Sequence, residues 1–331
     1  MFLMIKKLLF KLSAENAKNL SLSALKILNR LGVAFLFPKV SSSPVSIMGL
    51  TFPNKLGLAA GLDKNGDYVD ALAMLGFGFI EIGSVTPLPQ PGNPKPRIFR
   101  LEQDEAVINR MGFNSKGADY VADQLSKMKY RGILGINLGK NLATPIENAV
   151  DDYVIGFRKL WKYASYIAIN ISSPNTKNLR ELQMGDALSE LISRMQAERD
   201  QVFASEKKYV PLVVKIAPDL TDDQLNAIAV TLNKQKIDGV IATNTTLSRV
   251  GVTDHVDANQ AGGLSGKPLT ALSTSIIKKL RMMLDTSIPI IASGGVMDKA
   301  SADEKIAAGA ALVQVYTGLV YRGPGLIKEI L

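Results

Sequence analysis

Cysteine is absent from this chain, and histidine occurs once, as His255. Without cysteine there is no disulfide, thiolate metal site, iron–sulfur ligation or cysteine base within the chain. A lone histidine argues against a His-rich metal centre or a serine triad, and no metal is expected. His255 sits in the polar segment Gly251–Asp257, where an ordinary surface imidazole is expected. The single tryptophan, Trp161, falls in an amphipathic stretch and reads as helix packing. No segment supplies the roughly 20 uninterrupted apolar residues that cross a bilayer. Nor does the start show the basic, apolar, small-residue order of a signal peptide.

What is present suffices for a large core. The 331 residues are 47% hydrophobic and 21% charged, a globular balance compatible with one barrel or two ordinary domains. The net charge of +9 is uneven. Lys6, Lys7, Lys11, Lys18, Lys26, Arg30 and Lys39 face only Glu15 in the first forty residues, an excess of six. Interleaved with them are Phe2, Leu3, Ile5, Leu8, Leu9, Phe10 and Leu12, then a helical pattern opened by Ser13 in which Leu22, Leu25, Leu28 and Leu31 or Ile27 share a face. A further apolar run, 33–37, precedes Pro38 and the linker Ser41–Pro44. Two short basic amphipathic helices suit the surface of an anionic membrane; a hairpin packed on the main domain with solvated lysines is the alternative. RNA binding would spread cations and exposed aromatics along a groove. Here charge lies beside apolar helices, and no nucleic-acid partner is expected.

From residue 55 onward short β-rich runs alternate with helical patterns. Strands are expected at Lys55–Ala59, Gly78–Gly83, Ile133–Leu138, Tyr166–Ile171, Pro211–Ile216, Gly239–Thr243, Pro289–Ser293 and Ala311–Val315. Helices are expected between them, at Tyr68–Leu75, Ala149–Tyr163, Ala187–Ala204, Asp222–Lys234, Ser273–Leu284 and Ser301–Ala308. Eight such units give an α/β fold, a (β/α)8 TIM barrel over 43–331, carrying an amphipathic two-helix extension over 1–42. A doubly wound sheet is the alternative, but no GxGxxG follows the first strand.

Barrel chemistry gathers where strands end. Those ends carry Ala60, Gly61 and Lys64; Ser84 and Thr86; Asn137 and Lys140; Asn170, Ser173 and Asn175; Lys215; Thr243, Asn244 and Thr245; Ser293 to Gly295; and Tyr316 to Gly318. The densest cluster is Ala168–Thr176, where an apolar strand stops abruptly in amides and hydroxyls that need polar partners. Glycines on the last two strands suit a phosphate, and Gly262–Gly266 reads as a flexible loop. Lys215 interrupts an apolar strand and needs an anionic or electron-rich partner. It could form a Schiff base or stand as a fixed charge beside a redox cofactor; the many asparagines favour the second. The prolines at 87–96 stiffen a loop that could continue into a substrate lid at Asn109–Asn114.

The segments GLAAGLDKNG (57–66), EIGSVTPLPQPGN (81–93), NRMGFN (109–114), GINLGKN (135–141), AINISSPNT (168–176), VKIAPD (214–219), ATNTT (242–246), GGLSG (262–266) and the closing YTG (316–318) resemble the membrane-associated, quinone-dependent class of dihydroorotate dehydrogenases. The likeness runs over essentially the whole chain. It implies oxidation of (S)-dihydroorotate to orotate, the fourth step of pyrimidine synthesis, with FMN as hydride acceptor and a membrane quinone as final acceptor. It places the flavin on Ala60, Gly61, Leu62, Asp63, Lys64, Ser84, Asn137, Asn170, Lys215, Thr243, Gly266, Gly295, Tyr316 and Thr317. It places substrate on Lys64, Asn109, Arg110, Met111, Gly112, Phe113, Asn170, Asn175, Asn244 and Thr245, with Ser173 as the catalytic base taking a C5 proton, aided by Thr176. Activity should then rise toward alkaline pH. Arg100 and Tyr316 would lie near the quinone head. The implied setting is a monomer held peripherally on the cytoplasmic side of the cell membrane through residues 1–40. Two positions depart from the family pattern: Lys18 stands where members often have histidine, and Ser84 where threonine is common. Flavin barrels that act on tRNA uridines rely on a cysteine that this chain lacks. Another FMN barrel oxidoreductase, a lysine-dependent barrel enzyme and a membrane adaptor are the other readings, the last leaving the polar strand ends without purpose.

Overall fold

The structure is a computed structural model and describes residues 2–33, 37 and 40–331. The apolar run at 33–37 and Pro38 lie largely outside that range. Helix α1 (Phe2–Leu9) and helix α2 (Ala14–Arg30) form a hairpin, with the Ser13 hydroxyl accepting from the Asn16 N–H at the start of α2. A short hairpin of β1 (Val45–Ile47) and β2 (Leu50–Phe52) follows.

The expected barrel is present. Its strands, in chain order, are β3 (Leu56–Leu58), β4 (Phe79–Val85), then, after β5 (Ile98–Leu101) and β6 (Ala106–Asn109), β7 (Ile133–Leu138), β8 (Tyr166–Asn170), β9 (Leu212–Ile216) and β10 (Gly239–Ala242). After β11 (Gly263–Gly266) come β12 (Ile290–Ser293) and β13 (Leu312–Val315). Parallel pairing closes the ring in the order β3, β4, β7, β8, β9, β10, β12, β13. Every residue of β3, β4, β8, β9, β10, β12 and β13 is buried. That is why they read as mostly apolar runs, with isolated polar residues and no regular polar alternation.

The helices around the ring are α3 (Val69–Ala73), α4 (Ala118–Ser126), α5 (Ala149–Leu160), α6 (Gly185–Glu206), α7 (Asp222–Lys234), α8 (Thr270–Met283), α9 (Lys299–Ala307), α10 (Thr317–Arg322) and α11 (Gly325–Ile330). Helix α7 has a full capping box from Thr221 and Gln224, which satisfies two otherwise orphaned backbone donors.

The barrel interior is layered. At its floor Phe52 of the β1–β2 hairpin meets Phe79 edge-on at 5.2 Å, and Phe79 meets Tyr166 at 6.5 Å. Room for these rings comes from two strand glycines: a Cβ at Gly57 would lie 2.3 Å from Phe79, and one at Gly135 2.2 Å from Tyr166. Above this apolar plug sits a polar layer, and above that the mouth.

The mouth carries a second sheet that the sequence reading does not contain. Strands β5, β6 and β11 form it, all antiparallel. Of the segment Gly262–Gly266, expected as a flexible loop, Gly263–Gly266 is instead its strand β11. Its glycines are needed for closeness: a Cβ at Gly263 would lie 1.9 Å from the Thr245 hydroxyl.

The α1–α2 hairpin docks on this sheet's side of the barrel. Arg97 makes a two-pronged ion pair with Glu15 at 2.8 and 3.3 Å. Arg100 donates to the carbonyls of Phe10 and Leu12 in the turn that follows α1, tying that turn to β5. The expected single apolar face of α2 is in fact two. Ala17 and Leu22 are buried against the protein, whereas Leu20, Ile27, Leu28 and Leu31 are exposed.

Candidate active site

Each strand delivers its last residues to one mouth. Lining the cleft are Ala60, Gly61 and Lys64 after β3, Ser84 on β4, Asn170 and Ser173 at β8, Lys215 on β9 and Asn244 after β10. Ser293 and Tyr316 close it from β12 and β13, and Asn109, Met111, Gly112, Phe113 and Asn175 cover it from the side.

Below the mouth the polar layer is centred on Glu81, a fully buried carboxylate that the sequence reading missed. It accepts from Asn137 Nδ2 at 3.0 Å, Tyr166 Oη at 2.9 Å and Gln314 Nε2 at 2.8 Å. Lys215 Nζ stands 3.7 Å from it. Glu81 thus supplies the anionic partner Lys215 requires, and Lys215 makes no hydrogen bond among the described residues. Its ammonium is held at the cleft floor by charge alone, free to donate upward. The missed signal was the same one that flagged Lys215, a charge inside an apolar strand (Phe79-Ile-Glu-Ile). Replacing Glu81 with leucine strands Lys215, Asn137, Tyr166 and Gln314 together. Removing one partner of a buried ion pair costs about 3–5 kcal/mol, so a denaturant melt of Glu81→Leu should show a loss of that size.

From this layer a chain of amides rises to the mouth. Ser84 donates to Asn137 Oδ1, and Asn170 Nδ2 donates to Ser84 Oγ at 2.8 Å and to Asn137 Oδ1 at 3.2 Å. Asn244 Nδ2 reaches Asn170 Oδ1 at 3.2 Å and Ser172 Oγ at 2.9 Å. Ser172 is a second group the sequence reading overlooked, one residue from Ser173. Each amide is oriented by its neighbour, so the unused donors and acceptors are presented in fixed directions.

Ser173 is 6% exposed at the cleft wall, and its Oγ accepts from the Asn175 N–H at 3.2 Å. That bond occupies a lone pair and leaves the hydroxyl proton uncommitted. Thr176, expected to assist it, makes no hydrogen bond to Ser173 among the described residues. Asn175 turns instead to Asn109, donating to its carbonyl at 3.1 Å. The expected lid is braced: Gln90 donates to the Gly112 and Phe113 carbonyls at 3.2 and 2.9 Å, and Asn93 to that of Arg110 at 2.9 Å.

Several candidate residues lie away from the cleft surface. Asp63 turns inward and accepts from the Asn65, Asp67 and Tyr68 N–H groups at 3.2, 3.1 and 2.8 Å. It shapes the loop that presents Lys64, and burial raises its pKa. Leu62 is core. Arg110 points away to Gln260 at 2.8 Å and the Pro96 carbonyl at 2.9 Å. Asn137 and Thr243 are buried beneath the lining, and the Thr245 N–H bonds Asn244 Oδ1 at 2.8 Å.

Gly266, Gly295 and Thr317 meet at one end of the mouth. Thr317 donates to Ser265 Oγ at 2.9 Å. A Cβ at Gly266 would come 2.3 Å from the Glu105 carbonyl, and one at Gly295 2.4 Å from Thr270. Backbone therefore packs closely at this end of the mouth, where no side chain would fit at either position. A flat heterocycle with an anionic tail fits this donor set: amides and Lys215 for the ring, glycine N–H groups for the tail.

Lys64 is half-buried with its pKa lowered to about 7, chiefly by desolvation, with Lys18 and Arg97 adding repulsion. Lys18, half-buried on α2, faces Glu15, Asp63 and Arg97, and burial lowers its pKa too. The Tyr316 hydroxyl is pushed up to about 12 by burial and stays neutral.

The family model described as dihydroorotate dehydrogenase matches residues 43–331. A protein of Nitrosospira multiformis named dihydroorotate dehydrogenase (quinone) is 54% identical over 330 residues, covering 100% of this chain and 94% of that one. A protein of Saccharophagus degradans with the same name is 53% identical, covering 99% and 97%. The crystal structure of the Eimeria tenella enzyme in complex with ferulenol superposes with a TM-score of 0.85 at 40% identity, covering 93% of this chain and 88% of that one. With a match across the whole barrel and relatives more than half identical from end to end, this chain belongs to the dihydroorotate dehydrogenase family.

Proposed function

We propose that this protein oxidises (S)-dihydroorotate to orotate and passes the two electrons to a quinone, using FMN, in pyrimidine synthesis. The observation that carries this reading is the convergence of Ser173, Lys64 and the asparagines 109, 175 and 244 on one cleft. Dihydroorotate is a cyclic imide bearing a carboxylate. Asparagine offers a donor and an acceptor on one group, matching the N–H and C=O edges of an imide. Lys64 supplies the countercharge for the carboxylate.

Oxidation removes a proton from C5 and a hydride from C6. Ser173 Oγ takes the C5 proton as its own hydroxyl proton passes on toward solvent. FMN, when bound, supplies the hydride acceptor. The residues fitted to hold it are Ala60, Gly61, Ser84, Asn170 and Lys215 around the ring and Gly266, Gly295 and Thr317 at the phosphate. Lys215 places fixed positive charge at the floor, where reduction adds negative charge. The braced segment 109–113 covers the substrate and excludes water.

Residues 1–42 serve in this reading as the quinone-access and membrane extension. Met4, Leu8 and Leu31 are 73%, 66% and 69% exposed, an apolar surface beside basic residues that suits an anionic leaflet. No helix among the described residues is long and apolar enough to cross a membrane. Each apolar side chain buried in lipid contributes about 1.5–3 kcal/mol. The double variant Leu8→Asp/Leu31→Asp should therefore lose sedimentation with anionic vesicles while keeping turnover with a water-soluble acceptor. Vesicle binding that survives the double change would remove this face from the contact.

The experiment that tests the function is anaerobic addition of dihydroorotate with the visible spectrum recorded. Bleaching of a yellow protein, reversed by a quinone but not by fumarate or NAD⁺, is expected. A yellow protein indifferent to dihydroorotate would overturn the substrate, and a protein that takes up no flavin would overturn the cofactor.

A further inference from the structure

Lys305 on α9 is fully buried, yet the mechanism above gives it no task. It has no salt-bridge partner among the described residues. Its Nζ instead meets neutral oxygens of α8: Ser273 Oγ at 2.5 Å, Thr274 Oγ1 at 3.1 Å and the Thr270 carbonyl at 3.4 Å. A buried ammonium without a counter-ion is costly, and desolvation lowers its pKa to about 8. Some nearby anion would offset that cost.

The path leads toward the mouth. Ser273 Oγ donates to the Gly294 carbonyl at 2.8 Å, and Thr270 Oγ1 to the Gly295 carbonyl at 2.8 Å. Both carbonyls are thus drawn back toward α8. In a planar trans peptide the N–H points opposite to the C=O. Fixing these two carbonyls therefore turns the N–H groups of Gly295 and Val296 away from α8, and neither has a protein acceptor among the described residues. Gly294 and Gly295 both have positive φ, +104° and +70°, which lets consecutive amides converge on one point. Two donors aimed together, with a buried cation behind them, form an anion cradle at the end of the mouth where Gly266 and Thr317 lie.

We propose that Lys305, acting through Ser273, is a positioning residue that orients the Gly294–Gly295 peptide so that the Gly295 N–H faces the flavin phosphate, and makes the site select FMN over unphosphorylated riboflavin. This rests on the flavin reading. The competing account is purely structural, a lysine that ties α9 to α8 and affects all ligands alike.

The test is fluorescence titration of flavin-freed protein with FMN and, separately, with riboflavin. In Lys305→Met, which keeps the side-chain length and removes the charge, FMN affinity should fall about tenfold, the scale of one charge-assisted hydrogen bond. Riboflavin affinity should change by less than about twofold. Equal loss for both flavins, or loss for neither, overturns the proposal. If Lys305→Met does not fold, Ser273→Ala leaves the charge in place but cuts its link to Gly294, and the same two titrations decide. Wild-type protein that binds neither flavin would overturn the flavin reading itself, an outcome distinct from normal binding with unaltered selectivity.

Discussion

Ser173→Ala is expected to lower the rate of flavin bleaching by dihydroorotate by about 10²–10⁴-fold, the usual contribution of a positioned general base. Flavin content and thermal stability should stay close to wild type, because among the described residues the hydroxyl makes one hydrogen bond, from the Asn175 N–H. Serine is a weak base at neutral pH. Among the described residues that line the cleft there is no histidine or carboxylate to take the proton onward, and Thr176 makes no hydrogen bond to Ser173. The proton must therefore leave toward solvent or the covered ligand space, and the wild-type rate should climb as pH rises. Ser173→Cys supplies the sharper readout. A thiol ionises near pH 8.5 in the absence of perturbation, so this variant should recover part of the rate and bring its pH rise to lower values. Anaerobic stopped-flow bleaching across pH measures all three proteins. An alanine variant within tenfold of wild type, or a flat wild-type profile, would remove Ser173 from the proton transfer.

The barrel was legible because burial on both faces leaves each strand a mostly apolar run, and because polar residues gather near or just after the strand ends. Val213-Val-Lys-Ile and Ala168-Ile-Asn-Ile are such runs, with Lys215 and Asn170 as the isolated polar residues near their ends. What was not legible depends on partners far apart in the chain. Strand β11 is Gly-Leu-Ser-Gly, with little strand propensity of its own; its pairing with Ala106–Asn109 spans some 150 residues and exists only once the barrel brings them together. The same holds for Glu15 and Arg97. Alone, Glu15 looks like a stray acid in a basic segment, and its role as the clasp between α2 and the mouth needs the fold. Local motifs fix which residues approach the mouth but not which way each side chain turns. Asp63 and Arg110 sit within such motifs, yet one caps its own loop and the other braces the second sheet. Glu81 was the avoidable omission, since a lone charge in an apolar strand had already singled out Lys215.

The second large effect concerns Lys64. Its pKa is lowered to about 7, so before substrate arrives part of the side-chain population is neutral near neutral pH. Burial is the main cause, and the positive charges of Lys18 and Arg97 add to it. An anionic ligand stabilises the charged form, so the pKa rises on binding and a proton is taken up wherever the free lysine is neutral. Linkage fixes the sign: orotate affinity is constant below the free pKa, falls as pH rises through about 7, by up to tenfold per unit, and levels off above the higher pKa of the complex. Substrate binding should thus weaken over the same range in which a serine base speeds chemistry, giving an optimum in kcat/KM where kcat alone keeps rising. Lys64→Met should abolish this pH dependence and weaken orotate by about 10²-fold or more, the cost of leaving a carboxylate in a desolvated cleft without its partner. Lys18→Met should do the opposite in part: with one repelling charge gone, the fall in affinity begins at higher pH. Calorimetric titration of orotate from about pH 6 to about pH 9 reads both variants. Affinity that is pH-independent in the wild type, or unchanged in Lys64→Met, would show that the substrate carboxylate finds its countercharge elsewhere.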